Sequence, residues 1–117
     1  MKALDALLCI IFALLIPVLL YAHAVLVDSN PKAGSTVKGP NISVWLRFNV
    51  RIDAGRSRSI LILTDGSTLP IALDSQAKPN LLSGKATGLN AGKYKLQWQV
   101  LAEDGHITRG EFTFFVE

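Results

Sequence analysis

From Ile42 to Val50 the chain reads ISVWLRFNV, with an apolar residue at every second position. In an extended backbone Ile42, Val44, Leu46, Phe48 and Val50 share one face, while Ser43, Trp45, Arg47 and Asn49 share the other. That is the pattern of a strand with one buried side. The stretch KYKLQWQV repeats it, with Tyr94, Leu96, Trp98 and Val100 on one face and Lys93, Lys95, Gln97 and Gln99 on the other. In GEFTFFV the core residues are Phe112, Phe114 and Val116. Between these runs, SILILT and LPIAL flank Asp65-Gly66, a dipeptide that closes hairpins. Pro31, Gly34, Gly39, Pro40, Gly55, Pro79, Gly84, Gly88 and Gly92 interrupt the apolar runs, and nothing after residue 22 supports a long helix. A chain patterned this way is expected to be all-β, a two-sheet antiparallel sandwich or a closely related barrel. Trp45 and Trp98, both on strands, read as packing residues rather than ligand platforms.

The first 22 residues follow different rules. Met1 and Lys2 supply positive charge, and Ala6 to Ala22 then carry none, which is the shape of a secretory signal peptide. The apolar run is short for a membrane span and contains Pro17. The expected organisation is a signal peptide over residues 1–22, cleaved after Ala22, and a single exported domain over residues 23–117 with no membrane span. A rival cut exists, because Ala22-His23-Ala24 is an A-x-A match and cleavage after Ala24 would remove the histidine. The only cysteine and the only methionine, Cys9 and Met1, leave with the signal, so no disulfide can staple the domain. Lys2 and Asp5 leave together, so the net charge of +3 is unchanged. That is mild for a nucleic-acid binder. Arg47, Arg51, Arg56, Arg58, Lys93 and Lys95 read as solvated strand faces.

Chemistry concentrates in AEDGHITRG. Asp104-Gly105 follows one alternating run and His106 opens the next, so the segment is expected at a hairpin rim. Taken alone, Asp-Gly-His is a turn with an exposed histidine beside it. After residue 22, however, the chain holds only two histidines, and the other, His23, stands at the expected mature terminus. A terminal His23 offers its α-amino nitrogen and a ring nitrogen to one metal. If the chain at Asp104-His106 is extended, their side chains project to the same side and add one oxygen and one nitrogen. Three nitrogens and one oxygen suit tetragonal Cu(II) better than tetrahedral zinc, and the soft sulfur that Cu(I) favours is missing. No nucleophile-elbow serine and no glycine-rich phosphate loop is present, so an enzyme of either kind is not expected.

These residues resemble a known family, the periplasmic copper-resistance proteins of the CopC type. HAVLVDSNPKAGSTV is similar to the family's opening H-A-x-L-x-x-S-x-P-x-x-G, and WQVLAEDGHITRGEFTFFV to its W-x-V-x-x-x-D-G-H-x-x-x-G-x-x-x-F-x-V. The resemblance implies an immunoglobulin-like antiparallel β-sandwich of Greek-key topology that binds one Cu(II) through His23, Asp104 and His106. It also implies a periplasmic protein of copper homeostasis, with an inner-membrane copper transporter of the CopD type as a partner. The methionine-rich Cu(I) site of some members has no counterpart after residue 22. Two stretches depart from the pattern: Phe48-Asn49-Val50 stands where many relatives read F-S-E, and Ala102-Glu103 where Ser is common. Both are expected to touch rim packing rather than coordination. Two other readings stay open on the residues: a metal-free interaction module of the cell envelope, and a small copper monooxygenase built on a terminal histidine.

Overall fold

Each alternating run becomes a strand in the computed structural model, which describes residues 23–117. The expected signal peptide and its cut fall on or beside residues 1–22 and lie outside the described residues. The strands are β1 (Leu26–Asn30), β2 (Thr36–Val37), β3 (Ile42–Phe48), β4 (Ile52–Ile62), β5 (Thr68–Pro70), β6 (Ala72–Leu73), β7 (Leu81–Ala86), β8 (Gly92–Ala102) and β9 (Ile107–Val116). A four-stranded sheet has the order β1-β3-β7-β6 and a five-stranded sheet the order β2-β9-β8-β4-β5. Together they form the immunoglobulin-like sandwich. Among the described residues no helix is long and apolar enough to cross a membrane.

The two inner faces meet where the alternation places them. Leu46 and Phe48 of β3 pack toward Leu96, Trp98 and Val100 of β8 and Phe114 of β9 in one buried cluster. Phe48 and Trp98 join the sheets edge to face, with centroids 5.1 Å apart and planes at 73°. Such a pair adds about 0.5–1.5 kcal/mol beyond the area it buries. Tyr94 stacks on Phe114 at 5.8 Å, and its hydroxyl donates to the Asn90 carbonyl at 2.7 Å. A buried phenol thereby keeps its hydrogen bond and pins the chain entering β8. Trp98 takes its room from Gly110, its partner across the β8–β9 ladder, where a Cβ would stand 2.2 Å from the indole ring. Both tryptophans thus lie on strands, Trp98 buried and Trp45 half-buried.

Two features depart from a purely antiparallel sandwich. β2 pairs in parallel with the end of β9, Thr36 against Phe115 and Val37 against Val116. Two residues are too short to show an alternation, so this pairing is silent in the sequence. It serves the edge of β9, whose Phe115 and Glu117 amides donate to the Ser35 and Val37 carbonyls. The second feature is LPIAL, which divides between the sheets. The Asp65-Gly66 turn closes the β4–β5 hairpin, with Gly66 at φ +85° and Asp65 accepting from the Ser67 amide and hydroxyl. Ile71 then donates its amide to Ser59 on β4, while Ala72 and Leu73 already pair with β7 in the opposite sheet.

Gly84 of β7 makes that crossing possible. A Cβ on Gly84 would lie 2.3 Å from the Ala72 carbonyl oxygen and 2.9 Å from Ile71 Cγ2. Backbone cannot yield as a flexible side chain does, so Gly84→Ala is expected to cost about 1–3 kcal/mol as an overpacking change. Urea denaturation should show a lower midpoint with an unchanged slope. A wild-type midpoint would mean that Ile71 and Ala72 do not approach β7 this closely at Gly84.

Candidate metal centre

The topology gathers three segments at one end of the sandwich. β8 and β9 run in unbroken register from Gly92↔Val116 to Leu101↔Ile107, so their turn, residues 103–106, projects from that end. β1 pairs antiparallel with β3, Leu26 opposite Phe48, which brings residues 23–25 to the same end as Asn49. Arg51 ties the third segment in by accepting the Glu103 amide on its carbonyl at 3.1 Å.

The turn itself is closed by its own side chain. The Gly105 amide donates to the Ala102 carbonyl and the Ala102 amide to the His106 carbonyl, each at 2.9 Å, with Gly105 at φ +87°. Asp104 Oδ1 accepts the His106 amide at 3.0 Å, and Asp104 Oδ2 stands 2.8 Å from His106 Nδ1. The segment is the turn of a hairpin rim, as expected, and it brings Asp104 and His106 together without an extended chain. Asp104 and His106 face each other because aspartate reaches its own backbone two residues on. An ionised carboxylate can only accept, so Nδ1 of His106 carries the proton in this contact and Nε2 keeps its lone pair when the ring is neutral.

His23 completes the group. Its ring centroid lies 5.4 Å from that of His106, with the planes tilted by 54°. All three residues sit on the rim: the His106 side chain is 61% exposed and that of Asp104 31%. The Asp104 carboxyl is held below the ordinary carboxylate range, first by the hydrogen bond from the His106 ring, then by the His106 amide, and further by the nearness of both histidines. The arrangement is a hydrogen-bonded pair with a neighbour. Among the described residues no three His, Cys, Asp or Glu side chains are already spaced as a closed cage for a metal. On β9, Thr108 Oγ1 is buried and has no hydrogen-bond partner among the described residues.

One residue was invisible as a contributor to this end. Asn49, expected to touch only rim packing, donates its amide to the Val25 carbonyl at 3.0 Å and accepts the Val25 amide on Oδ1 at 2.7 Å. The only signal was a polar Asn immediately after an alternating strand, where a side-chain acceptor can continue a ladder that the backbone leaves. Ala24, next to His23, is 2% exposed and belongs to the core cluster. Of the basic side chains, Arg47 pairs with Asp28 and Lys95 with Glu111 on other strands, whereas Arg51 and Arg56 line a cleft with Glu103 and Gly105 of this turn.

Residues 26–117 match the CopC domain family. The chain belongs to the CopC family. The match contains Asp104 and His106 and begins three residues after His23. The protein YobA of Escherichia coli (strain K12) is 30% identical over 100 residues, spanning 83% of this chain and 81% of that one. The crystal structure of CopC from Methylosinus trichosporium OB3b superposes with a TM-score of 0.73 at 32% identity, covering 81% of this chain and 94% of the other. PcoC, described as a methionine-rich copper resistance protein from Escherichia coli, superposes with a TM-score of 0.67 at 28% identity, over 82% and 100% of the two chains. This CopC-family chain departs from that description in one respect, since its single methionine is Met1.

The lowered Asp104 carboxyl generates a test with a fixed sign. A carboxyl that is lowered on folding adds stability above the ordinary carboxylate range and loses it as pH falls through its own depressed value. Carbon-13 titration of Asp104 should show a midpoint below that range. Because the His106 ring is the largest contributor, His106→Ala should move the midpoint up, though not fully, since the residue 106 amide remains. An unmoved midpoint would show that the ring does not hold the carboxylate.

Proposed function

We propose that this protein is an exported, periplasmic Cu(II) carrier or buffer of copper homeostasis and resistance. It binds one Cu(II) through the His23 α-amine and ring, the Asp104 carboxylate and the His106 ring, and it is not an enzyme. The observation that carries the reading is the meeting of the chain's only two histidines, 5.4 Å apart, with Asp104 bonded to one of them. The copper-resistance description of PcoC and the family membership support the choice of metal.

The donors fit the ion. Asp104 Oδ2 and His106 Nδ1 already face each other at 2.8 Å, so both could turn toward one ion once the proton on Nδ1 leaves. Hard and borderline donors of this kind favour Cu(II), and residues 23–117 contain neither cysteine nor methionine for Cu(I). Cleavage after Ala22 gives His23 its free amine. The rival cut after Ala24 would strip a residue that is 2% exposed in the core. A copper transporter of the CopD type in the inner membrane is the partner this reading implies.

Intact mass of the secreted protein with and without Cu(II) tests the reading, and should show a chain beginning at His23 that takes up one ion. His106→Ala removes one nitrogen from an exposed rim, so the sandwich should stay folded. The affinity should fall by more than the roughly 10–100-fold typical of losing an outer partner of a ligand. Each nitrogen must shed a proton to bind, so affinity should also fall as pH falls. Unchanged affinity in the variant, or a pH-independent one, would sink the assignment.

An added residue ahead of His23 isolates the amine, because it keeps every side chain but converts the amine to an amide. Copper binding should then weaken, and the electron paramagnetic resonance spectrum should shift toward fewer nitrogen donors. Identical spectra and affinities would exclude the amine and remove the chemical reason for cleavage after Ala22.

A further inference from the structure

We infer that Asn49 is a positioning residue that holds the His23 arm over His106. Apart from Ala24, which packs into the core, the arm has few backbone partners. The β1–β3 ladder begins at Leu26↔Phe48 and is interrupted at once, since the next paired residue is Asp28 and Val27 stands 53% exposed. Phe48 does not continue the ladder toward the arm either. Its amide goes to the Asn80 carbonyl and its carbonyl accepts from the Asn80 side chain. Among the hydrogen bonds of the described residues only Asn49 reaches the arm, taking Val25 at both its amide, at 2.7 Å, and its carbonyl, at 3.0 Å. The side chain thus supplies the acceptor that a further strand residue would have supplied from its backbone.

The two residues that flank Ala24 are not core. Val25 is 54% exposed and His23 is exposed, so their burial gives little reason to hold them still. Ala24 packs inward between them, and the Asn49 contacts set the direction in which the chain leaves Ala24, hence where the His23 ring and the first atoms of the mature chain stand. A donor held in place binds without first being ordered, which is how partners of a metal ligand raise affinity. Alanine at 49 keeps the amide contact to the Val25 carbonyl but loses the side-chain acceptor, whereas aspartate keeps an oxygen at the same place.

The inference rests on the copper reading only for its second readout. The first uses metal-free protein beginning at His23 and measures the nuclear Overhauser contact between the His23 and His106 rings. Asn49→Ala should weaken that contact while contacts across β8 and β9 report an intact sandwich, and Asn49→Asp should retain it. The second readout is Cu(II) affinity, which should fall about 10–100-fold in Asn49→Ala. A full ring-to-ring contact in Asn49→Ala overturns the inference. So does a lost contact with unchanged affinity, which would make the clamp merely structural. A wild-type protein that shows the ring contact but takes up no Cu(II) removes the copper reading and leaves the clamp to be decided by the first readout.

Discussion

The ladder between β8 and β9 is the constraint on which the rest of the molecule depends. It runs without a register shift from Gly92↔Val116 to Leu101↔Ile107. Side chains alternate with period two, so a slip of one residue would turn every inward side chain of one strand outward. The same register that seats Trp98 over the bare backbone of Gly110 and puts Tyr94 beside Phe114 also places the turn at its end. Core and site are therefore set together. Nothing in the turn needs to know where the N-terminal arm is; the ladder and the β1–β3 pairing bring them to one end independently.

That division explains why the core tolerates a polar, exposed site. The apolar cluster lies between the sheets, while Asp104 and His106 extend past the last ladder pair. Asp104 is satisfied by the His106 ring and amide, so the turn is closed by hydrogen bonds within the chain alone. In a domain whose metal ligands have no other partner, losing the metal unfolds the site. Here the carboxylate and the imidazole satisfy each other, so the turn is closed without a bound ion.

Much of this was legible in the sequence, and for a physical reason. Long strands with one buried face write their period into the chain, so β3, β8 and β9 could be read with their core residues, as could the Asp65-Gly66 hairpin. The gathering of His23, Asp104 and His106 was legible from two motifs rather than from periodicity. Short or divided segments were not legible: β2 has two residues and pairs in parallel, and β5 and β6 belong to opposite sheets although only Ile71 separates them. The hairpin rim that carries Asp104 and His106 was legible, but how the two side chains meet was not, because a spacing of two residues is compatible with both a strand and an aspartate-closed turn.

Asn49 shows the same limit from the other side. A polar residue after a strand has many uses, and which one applies depends on the chain opposite, which is 24 residues away in sequence. On the sequence it was a departure from a family pattern at a position of no stated importance. In the fold it stands where the β1–β3 ladder gives out, bonded to Val25, which is one residue from the packed Ala24 and two from His23. Hydrogen-bond capacity at such a place acts on whatever the chain carries next, and here the chain carries one of its two histidines. The rim of a sandwich is where backbone partners run out, so a side chain that replaces one decides how an exposed segment is presented. The core sets where the strands end, and residues like Asn49 set what those ends can hold.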